Sequence, residues 1–144
     1  MHKAGNEIVR GRIISRGTAE GDVLYSSTPI SFLGDIDPKT GNIINKNHEL
    51  FGTNISGKIL VFPHGIGSTV GSYVMYQLKK NGLAPLGIIN QYAEPIVAVG
   101  AIISQIPMLD KLNKELSYIK GKRIKIDANK GIIKIVGVAR EDIS

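Results

Sequence analysis

The feature of this sequence that most restricts its fold is an apolar run followed by a glycine-rich loop and a helical pattern. The run, residues 59–62, contains only Ile, Leu, Val and Phe and ends at a proline, which is typical of a strand buried on both faces. The loop, residues 64–69, carries Gly65 and Gly67, and a helix is predicted after it because apolar residues recur on one face. The apolar residues of that face are Val70, Val74, Met75 and Leu78. The end of the helix is indicated by Lys79, Lys80 and Gly82.

Glycine is frequent elsewhere as well, at 17 of 144 residues, and it separates short apolar runs. This pattern indicates many short strands joined by tight turns. Strands are predicted over residues 8–14, 22–26, 59–62, 85–89, 107–109, 123–127 and 132–136, the last two as a hairpin. Helices are predicted over 70–80 and 95–104, with a weaker helical pattern over 112–119, a turn over 16–21 and a loop over 31–42. Together these elements predict a strand-rich α/β fold with a glycine-loop-to-helix unit.

The length of the chain is one that a single hydrophobic core accommodates. No internal repeat and no long linker divides the 144 residues, so one domain is expected over residues 1–144, with its core over about 8–136. No apolar run approaches the roughly 18 residues that span a bilayer, so no membrane association is expected. The first residues lack the apolar stretch of a secretory signal, and a cytoplasmic location is therefore expected.

The chain contains no cysteine, which excludes disulfides, a cysteine nucleophile and an iron–sulfur cluster held by this chain alone. Its three histidines, His2, His48 and His64, do not have the spacing of metal ligands. No metal site is therefore predicted within the chain. A metal used in its chemistry would have to be held by another protein.

The net charge of +6 raises the question of a nucleic-acid partner. The densest basic run, residues 120–125, places positive residues in alternation with Ile124 and Ile126, as on the solvent face of a strand. Aromatic residues make up 6% of the chain and tryptophan is absent, so platforms for base stacking are scarce. The pattern favours a solvated strand face over a nucleic-acid site, and attraction of an anionic substrate stays open.

The spacing of the glycine loop allows three interpretations. A nucleotide site is disfavoured, because no Lys-Ser/Thr pair follows Gly67 and the glycines at 65, 67 and 71 are one residue too widely spaced for a dinucleotide fingerprint. Ser68 or Thr69 would be a good N-cap for the following helix, and spacing alone favours this structural role. The third interpretation is a catalytic serine whose negative charge the loop amides stabilise.

A resemblance to a known family bears on the third interpretation, the catalytic serine. Residues 62–72 resemble the Gly-x-Gly-Ser loop of aconitase-type swivelling domains, and residues 78–86 resemble the stretch that follows it in those domains. Over roughly residues 8–136 the chain is similar to the small subunit of the aconitase X family. The supporting segments, in the same order along the chain, are residues 11–12, 17–21, 31–38, 57–61 and 94–103.

The resemblance implies a swivelling β/β/α domain that forms a heterodimer with a large aconitase-type subunit. In such enzymes the large subunit holds a [4Fe-4S] cluster, whose open iron binds the hydroxyl and carboxylate groups of the substrate and assists departure of hydroxide. By the same resemblance Ser68 would be the base that removes a proton next to the carboxylate. The substrate or oxyanion loop around it would consist of Gly65, Ile66, Gly67 and Thr69.

One position departs from the family pattern and bears on the substrate. Ordinary aconitases have an arginine two residues after the serine, where it binds a carboxylate, and this chain has Val70 there. The resemblance therefore implies a small hydroxy acid with fewer carboxylates. The expected reaction is dehydration of (R)-5-phosphomevalonate to trans-anhydromevalonate 5-phosphate in the mevalonate pathway of isoprenoid biosynthesis. The alternative that the resemblance implies is a subunit of a related hydroxy-acid dehydratase, such as the cis-3-hydroxyproline dehydratase of bacterial relatives.

Several further residues are candidates for the cleft. Arg16 and Lys58 are basic residues that could meet a phosphate group. Asp35 and Asp37 are candidate cleft residues, although a turn-forming role is favoured for both. His64 is the remaining candidate.

Two other classes of function are compatible with parts of the sequence. A phosphohistidine-type carrier domain shares the swivelling architecture, but it needs a histidine at a helix start, where this chain has Ser68-Thr69. A non-catalytic interaction module would tolerate the glycine loop without needing it. The dehydratase subunit is the leading hypothesis.

Overall fold

Eight strands form one mixed sheet in the computed structural model, which describes residues 7–140. The strands are β1 (Ile8–Arg10), β2 (Arg12–Ser15), β3 (Thr18–Tyr25), β4 (Ile59–Phe62), β5 (Gly87–Asn90), β6 (Met108–Asp110), β7 (Lys122–Asp127) and β8 (Ile132–Val138). The helices are α1 (Phe32–Asp35, a single kinked turn), α2 (Gly71–Lys80) and α3 (Pro95–Ile103), with a 3-10 turn over Leu116–Ile119. The predicted strand-rich α/β class is confirmed. Across residues 7–140, the structure contains no helix whose length and apolarity would suit a membrane span.

The order of the strands shows that the sheet curls until its two ends meet. The order is β1-β8-β7-β3-β4-β5-β6-β2, with parallel pairing between β3, β4, β5 and β6 and antiparallel pairing elsewhere. β1 and β2 lie at opposite ends of this order, yet only Gly11 separates them along the chain. The sheet is therefore close to a closed barrel, which leaves few free strand edges.

The central strands are buried on both faces and divide the apolar core into two parts. Alternate residues of a strand point to opposite faces, so Ile59 and Val61 of β4 join one cluster and Leu60 and Phe62 join the other. The first cluster fills the space enclosed by the curled sheet, and the second packs against α2 and α3. All four residues of β4 are fully buried, as the continuous apolar run predicts.

Three predicted elements differ from the observed ones. The strand predicted over 8–14 is two strands, because Gly11 forms a corner and its backbone N–H donates to the Gly131 carbonyl at 2.9 Å. The turn predicted over 16–21 is wrong, since β3 already begins at Thr18 and pairs with β7 from Asp127 onward. Its polar, glycine-containing sequence resembles a turn, but cross-strand pairing outweighs this weak local preference. The helical pattern over 112–119 yields only the 3-10 turn.

The remaining predicted strands and helices are confirmed with small changes at their ends, and the loop predicted over 31–42 contains the kinked turn α1. α3 begins at Pro95, as predicted, and Glu94 is its N-cap. α2 ends with Lys79 and Lys80, and Gly82 beyond it has a φ of 71°. The closing hairpin is β7 and β8, with its turn over residues 128–131.

Substitution of Gly11 tests the closure of the sheet. A Cβ atom at Gly11 would lie 2.9 Å from the backbone oxygen of Asp110, which cannot move without disturbing β6. We expect Gly11→Ala to lower the free energy of unfolding by about 1–3 kcal/mol in denaturant titrations. Gly137→Ala is the matched control, because a Cβ there meets no atom within 4 Å, and its change should stay within about 0.5 kcal/mol. Equal effects of the two substitutions would contradict a tight corner at Gly11.

Candidate active-site loop

The glycine loop follows β4 at the edge of the sheet where the parallel strands end. In open parallel sheets, ligands commonly bind at these carboxyl ends. The buried side chain of Asn90, at the end of β5, donates through Nδ2 to the Phe62 carbonyl at 3.0 Å and so anchors the start of the loop. Ile30 then pairs with the loop, since its N–H donates to the His64 carbonyl at 3.3 Å and its carbonyl accepts from the Ile66 N–H at 3.1 Å.

Close packing on two sides of the loop explains why residues 65 and 67 are glycines. Gly65 is buried, and a Cβ atom there would collide with the carboxylate of Glu94 and with Val97 of α3. Gly67 has a φ of 88°, and a Cβ atom there would collide with the hydroxyl group of Ser31. The loop is therefore held between α3 on one side and the segment that opens α1 on the other.

The Ser68 side chain is exposed to solvent and takes part in a local turn. Its Oγ accepts a hydrogen bond from the Val70 N–H at 3.1 Å, and its carbonyl accepts from the Gly71 N–H at 2.9 Å. α2 begins only at Gly71, with Val70 as N-cap and no side-chain cap. The predicted N-cap at Ser68 or Thr69 is therefore wrong. The Ser68 hydroxyl instead closes a short turn with the backbone of Val70, before the helix begins.

The start of α2 also differs from the predicted apolar face. Val70 is 50% exposed, whereas the buried residues of the helix are Gly71, Val74, Met75 and Leu78. Because the helix begins after it, Val70 projects beside Ser68 rather than into the core.

Three consecutive backbone amides of the loop are free. Within residues 7–140, the N–H groups of Gly67, Ser68 and Thr69 donate to no backbone or side-chain acceptor. They lie just before the N-terminus of α2, where the helix dipole adds positive potential. Such an arrangement stabilises negative charge close to the Ser68 hydroxyl.

The two aspartates that were candidates for the cleft both hold turns. Asp35 is buried, with Oδ2 accepting from the Ser31 N–H at 2.8 Å and Oδ1 accepting from Asn45 Nδ2 at 2.8 Å. Asp37 Oδ1 accepts from the Lys39 N–H at 2.9 Å. The turn-forming interpretation therefore describes both residues, and Asp35 in addition holds Ser31 against the loop.

His64 lies at the start of the loop and packs on a tyrosine. Its ring stacks on Tyr92 with 4.8 Å between the ring centroids, and its Nδ1 is 2.8 Å from the Gly65 carbonyl. Because a carbonyl only accepts hydrogen bonds, Nδ1 carries the proton in this arrangement and Nε2 is the acceptor of the neutral ring.

The two basic candidates for phosphate binding lie away from Ser68. Lys58 precedes β4, whereas the loop follows it, so the strand separates the two residues. Arg16 follows Ser15, which pairs with Met108 at the beginning of β6. Both basic residues are thus at the opposite edge of the parallel strands, and the structure does not bring them to the serine.

Three residues contact the loop but were not predicted as site residues: Ser31, Glu94 and Tyr92. The signal that could have found Ser31 and Glu94 was their place in the segments that carry the family resemblance, residues 31–38 and 94–103. Tyr92 had no such signal, since its contact with His64 arises only from the fold.

The loop lies on an open surface rather than in a pocket. A cavity of about 630 Å³ at the same edge of the sheet is lined by Tyr25, Pro63, Gln91 and residues 112–117, and no residue of 64–69 lines it. Among the described residues, no group of three or more His, Cys, Asp or Glu side chains could hold a metal ion. The chain therefore presents a serine and free amides without an enclosed site around them.

Comparisons with known proteins place the chain in a family. Residues 8–135 match the aconitase X swivel domain. The phosphomevalonate dehydratase small subunit of Methanosarcina acetivorans is 58% identical over 130 residues, which are 89% of this chain and 90% of that protein. The protein of the same name from Methanocaldococcus jannaschii is 50% identical over 129 residues, 89% of this chain and 97% of that protein.

A solved structure agrees with these sequence matches. The crystal structure of Thermococcus kodakaraensis aconitase X in its holo-form superposes with a TM-score of 0.87 at 50% identity, covering 91% of this chain and 99% of that chain. The predicted swivelling fold and the predicted family are both confirmed. The chain belongs to the aconitase X family and has the fold of its swivel domain.

Proposed function

We propose that this chain is the small subunit of a phosphomevalonate dehydratase, a hydro-lyase, and that Ser68 is its proton-abstracting base. Relatives that carry this small-subunit name are 50–58% identical over most of both chains. The observation that carries the role of Ser68 is local: an exposed hydroxyl group adjoins three free amides on a loop whose glycines are packed on both sides.

The dehydration requires a strong base, and the loop suits one. The C–H bond next to the substrate carboxylate breaks, its proton passes to Ser68 Oγ, and its electron pair forms the new double bond as the hydroxyl group leaves the neighbouring carbon. An unassisted serine alkoxide is too costly near neutral pH. The Val70 N–H, which donates to Oγ at 3.1 Å, and the N-terminus of α2 reduce that cost, because they place positive partial charge beside Oγ. The free amides of residues 67–69 add donors next to it along the chain.

The residues of this chain do not fit an iron–sulfur cluster, since cysteine thiolates are absent from the sequence. We therefore assign the [4Fe-4S] cluster of the proposed enzyme to a large subunit, which forms a heterodimer with this chain. The open position of Ser68 supports this division, because a second protein is needed to enclose the substrate. The proposed compartment is the cytoplasm, where thiolate ligands stay reduced.

The surroundings of Ser68 favour a substrate with one carboxylate, as in 5-phosphomevalonate. Val70 stands where ordinary aconitases have an arginine, and it is half exposed beside the serine. Lys58 and Arg16 lie at the other edge of the strands, so the phosphate group is assigned to contacts with the large subunit. The carrier alternative has less support, because His64 precedes the loop glycines and its Nδ1 is engaged by Gly65.

Substitution of the serine is the direct test of its role. In the assembled heterodimer, Ser68→Ala should lower kcat by about 10²–10⁴-fold, the range that general-base catalysis contributes, while assembly is unchanged. The measurement is steady-state dehydration of 5-phosphomevalonate, together with size-exclusion chromatography. Ser56→Ala is the control, because that serine precedes β4 and so lies at the opposite edge of the parallel strands from the loop, and its kcat should equal that of the wild type. Full turnover by Ser68→Ala would exclude the serine base.

A pair of glycine substitutions tests whether the loop must be positioned. Gly67 and Gly82 both have positive φ, at 88° and 71°, so alanine costs about 1–2 kcal/mol of backbone strain at either position. Only at Gly67 would the new Cβ also push against Ser31 and displace Ser68. We expect Gly67→Ala to lower kcat by about 100-fold, whereas Gly82→Ala should lower only thermal stability. Similar kcat values for the two variants would show that the position of the loop is unimportant.

A further inference from the structure

The chain segments that build the Ser68 loop and the two helices beside it contain almost no charged residues. The chain has 18 Lys and Arg and 12 Asp and Glu residues, yet none lies between Lys58 and Lys79. Between Lys80 and Asp110 the only charged residue is Glu94, and both of its carboxylate oxygens accept hydrogen bonds from amides in the first turn of α3. β4, the loop, α2 up to Leu78, β5 and α3 all fall in these segments.

Helix α3 exposes an apolar surface that residues 7–140 leave uncovered. Its nine residues contain no polar side chain, and only Val97, Gly100 and Ala101 are buried. Val99, Ile102 and Ile103 are 49%, 54% and 50% exposed. A surface helix of a monomeric protein normally turns polar residues outward. We call these three residues the outer face of α3.

The start of α3 lies next to the Ser68 loop, and its outer face runs from there toward the opposite edge of the parallel strands, where Ile102 lines a pocket with Arg16. α3 packs on α2, since a Cβ at Gly100 would collide with Met75 and the Ser72 hydroxyl donates to the Ile96 carbonyl at 2.6 Å. Further exposed apolar side chains occur on the loop and at the start of α2. They are Ile66, Val70 and Tyr73, at 45%, 50% and 63% exposure.

We propose that the outer face of α3 is the docking surface for the large subunit. This proposal rests on the proposed function, and it specifies which surface the partner covers. Loss of charged residues and enrichment in apolar and aromatic side chains characterise the buried centre of protein interfaces. The partner is the large subunit rather than a second copy of this chain, because relatives of this chain carry a small-subunit name and because the segments without charge contain both α3 and the Ser68 loop, whose open site a second protein must complete.

Docking on α3 also positions the catalytic loop. The carboxylate of Glu94 caps α3 and at the same time packs against Gly65, so the helix and the loop form one unit. A partner that binds the outer face of α3 therefore fixes where Ser68 lies relative to its own half of the site.

A charge introduced on α3 tests the proposal. Ile102→Glu should weaken binding of the cognate large subunit by about 30-fold or more, as expected for a residue at the centre of an interface. Val138→Glu is the matched control, because Val138 on β8 is 78% exposed and lies outside this face, and its affinity should equal that of the wild type. Both side chains are largely exposed, so circular dichroism and the melting temperature should show intact folds.

The outcomes separate this proposal from the proposed function. Equal affinity of Ile102→Glu and Val138→Glu would overturn the docking surface, while loss of kcat in Ser68→Ala would still support the serine base. Self-association of this chain that Ile102→Glu abolishes, without any binding of the large subunit, would overturn it in favour of a second copy. Failure of the wild-type chain to bind the large subunit would overturn both proposals.

A second measurement does not depend on weakened binding. The chain has no cysteine, so Ile102→Cys and Val138→Cys each introduce one thiol into this subunit. We expect the large subunit to slow maleimide labelling at position 102 by at least 10-fold and to leave labelling at position 138 unchanged, as read from the mass of this chain. Equal labelling rates at position 102 with and without the partner would overturn the proposal.

Discussion

The contact of two loop glycines with the side chains of Ser31 and Glu94 determines where Ser68 lies. Neither contact leaves space for a Cβ atom, so the backbone at residues 65 and 67 is pressed against its neighbours. The neighbours are themselves fixed, since Asp35 holds the Ser31 N–H and Glu94 is bound to the first turn of α3. A serine without an enclosing pocket can be positioned in this way because its backbone is constrained from both sides.

These contacts connect the loop to the closure of the sheet. Asp110, fully buried at the end of β6, accepts from the Ala93 N–H at 2.7 Å, directly before Glu94. The same carboxylate accepts two hydrogen bonds from Arg12, at 2.9 Å through Nε and 2.8 Å through Nη2, and this pairing raises the pKa of Arg12. Arg12 follows the Gly11 corner, so the point where the two ends of the sheet meet is linked by hydrogen bonds to the residue that packs beneath the loop.

The predictions from sequence succeed where a local pattern has one physical interpretation. A continuous apolar run indicates a strand buried on both faces, and β4 is such a strand. A proline that opens an apolar segment predicts a helix start at residue 95, and α3 begins there. Predictions fail where residues distant in sequence determine the local structure. The first half of β3 is an example, because it is a strand only through its pairing with β7. The same holds for the site: Ser68 could be singled out from its motif, but the contacts of Gly67 with Ser31 and of Gly65 with Glu94 arise only when the chain folds.

In the proposed function, Ser68, its free amides and the uncharged surface around them make up one half of an active site. The central claim is that this serine removes the proton next to the carboxylate, and exchange of that proton tests it most directly. The measurement is incorporation of deuterium from D₂O into 5-phosphomevalonate by the assembled heterodimer, followed by NMR at the carbon next to the carboxylate. The wild-type complex should incorporate deuterium there, and the Ser68→Ala complex should bind the substrate without exchange. Exchange at the wild-type rate in Ser68→Ala would contradict the assignment of this residue as the base.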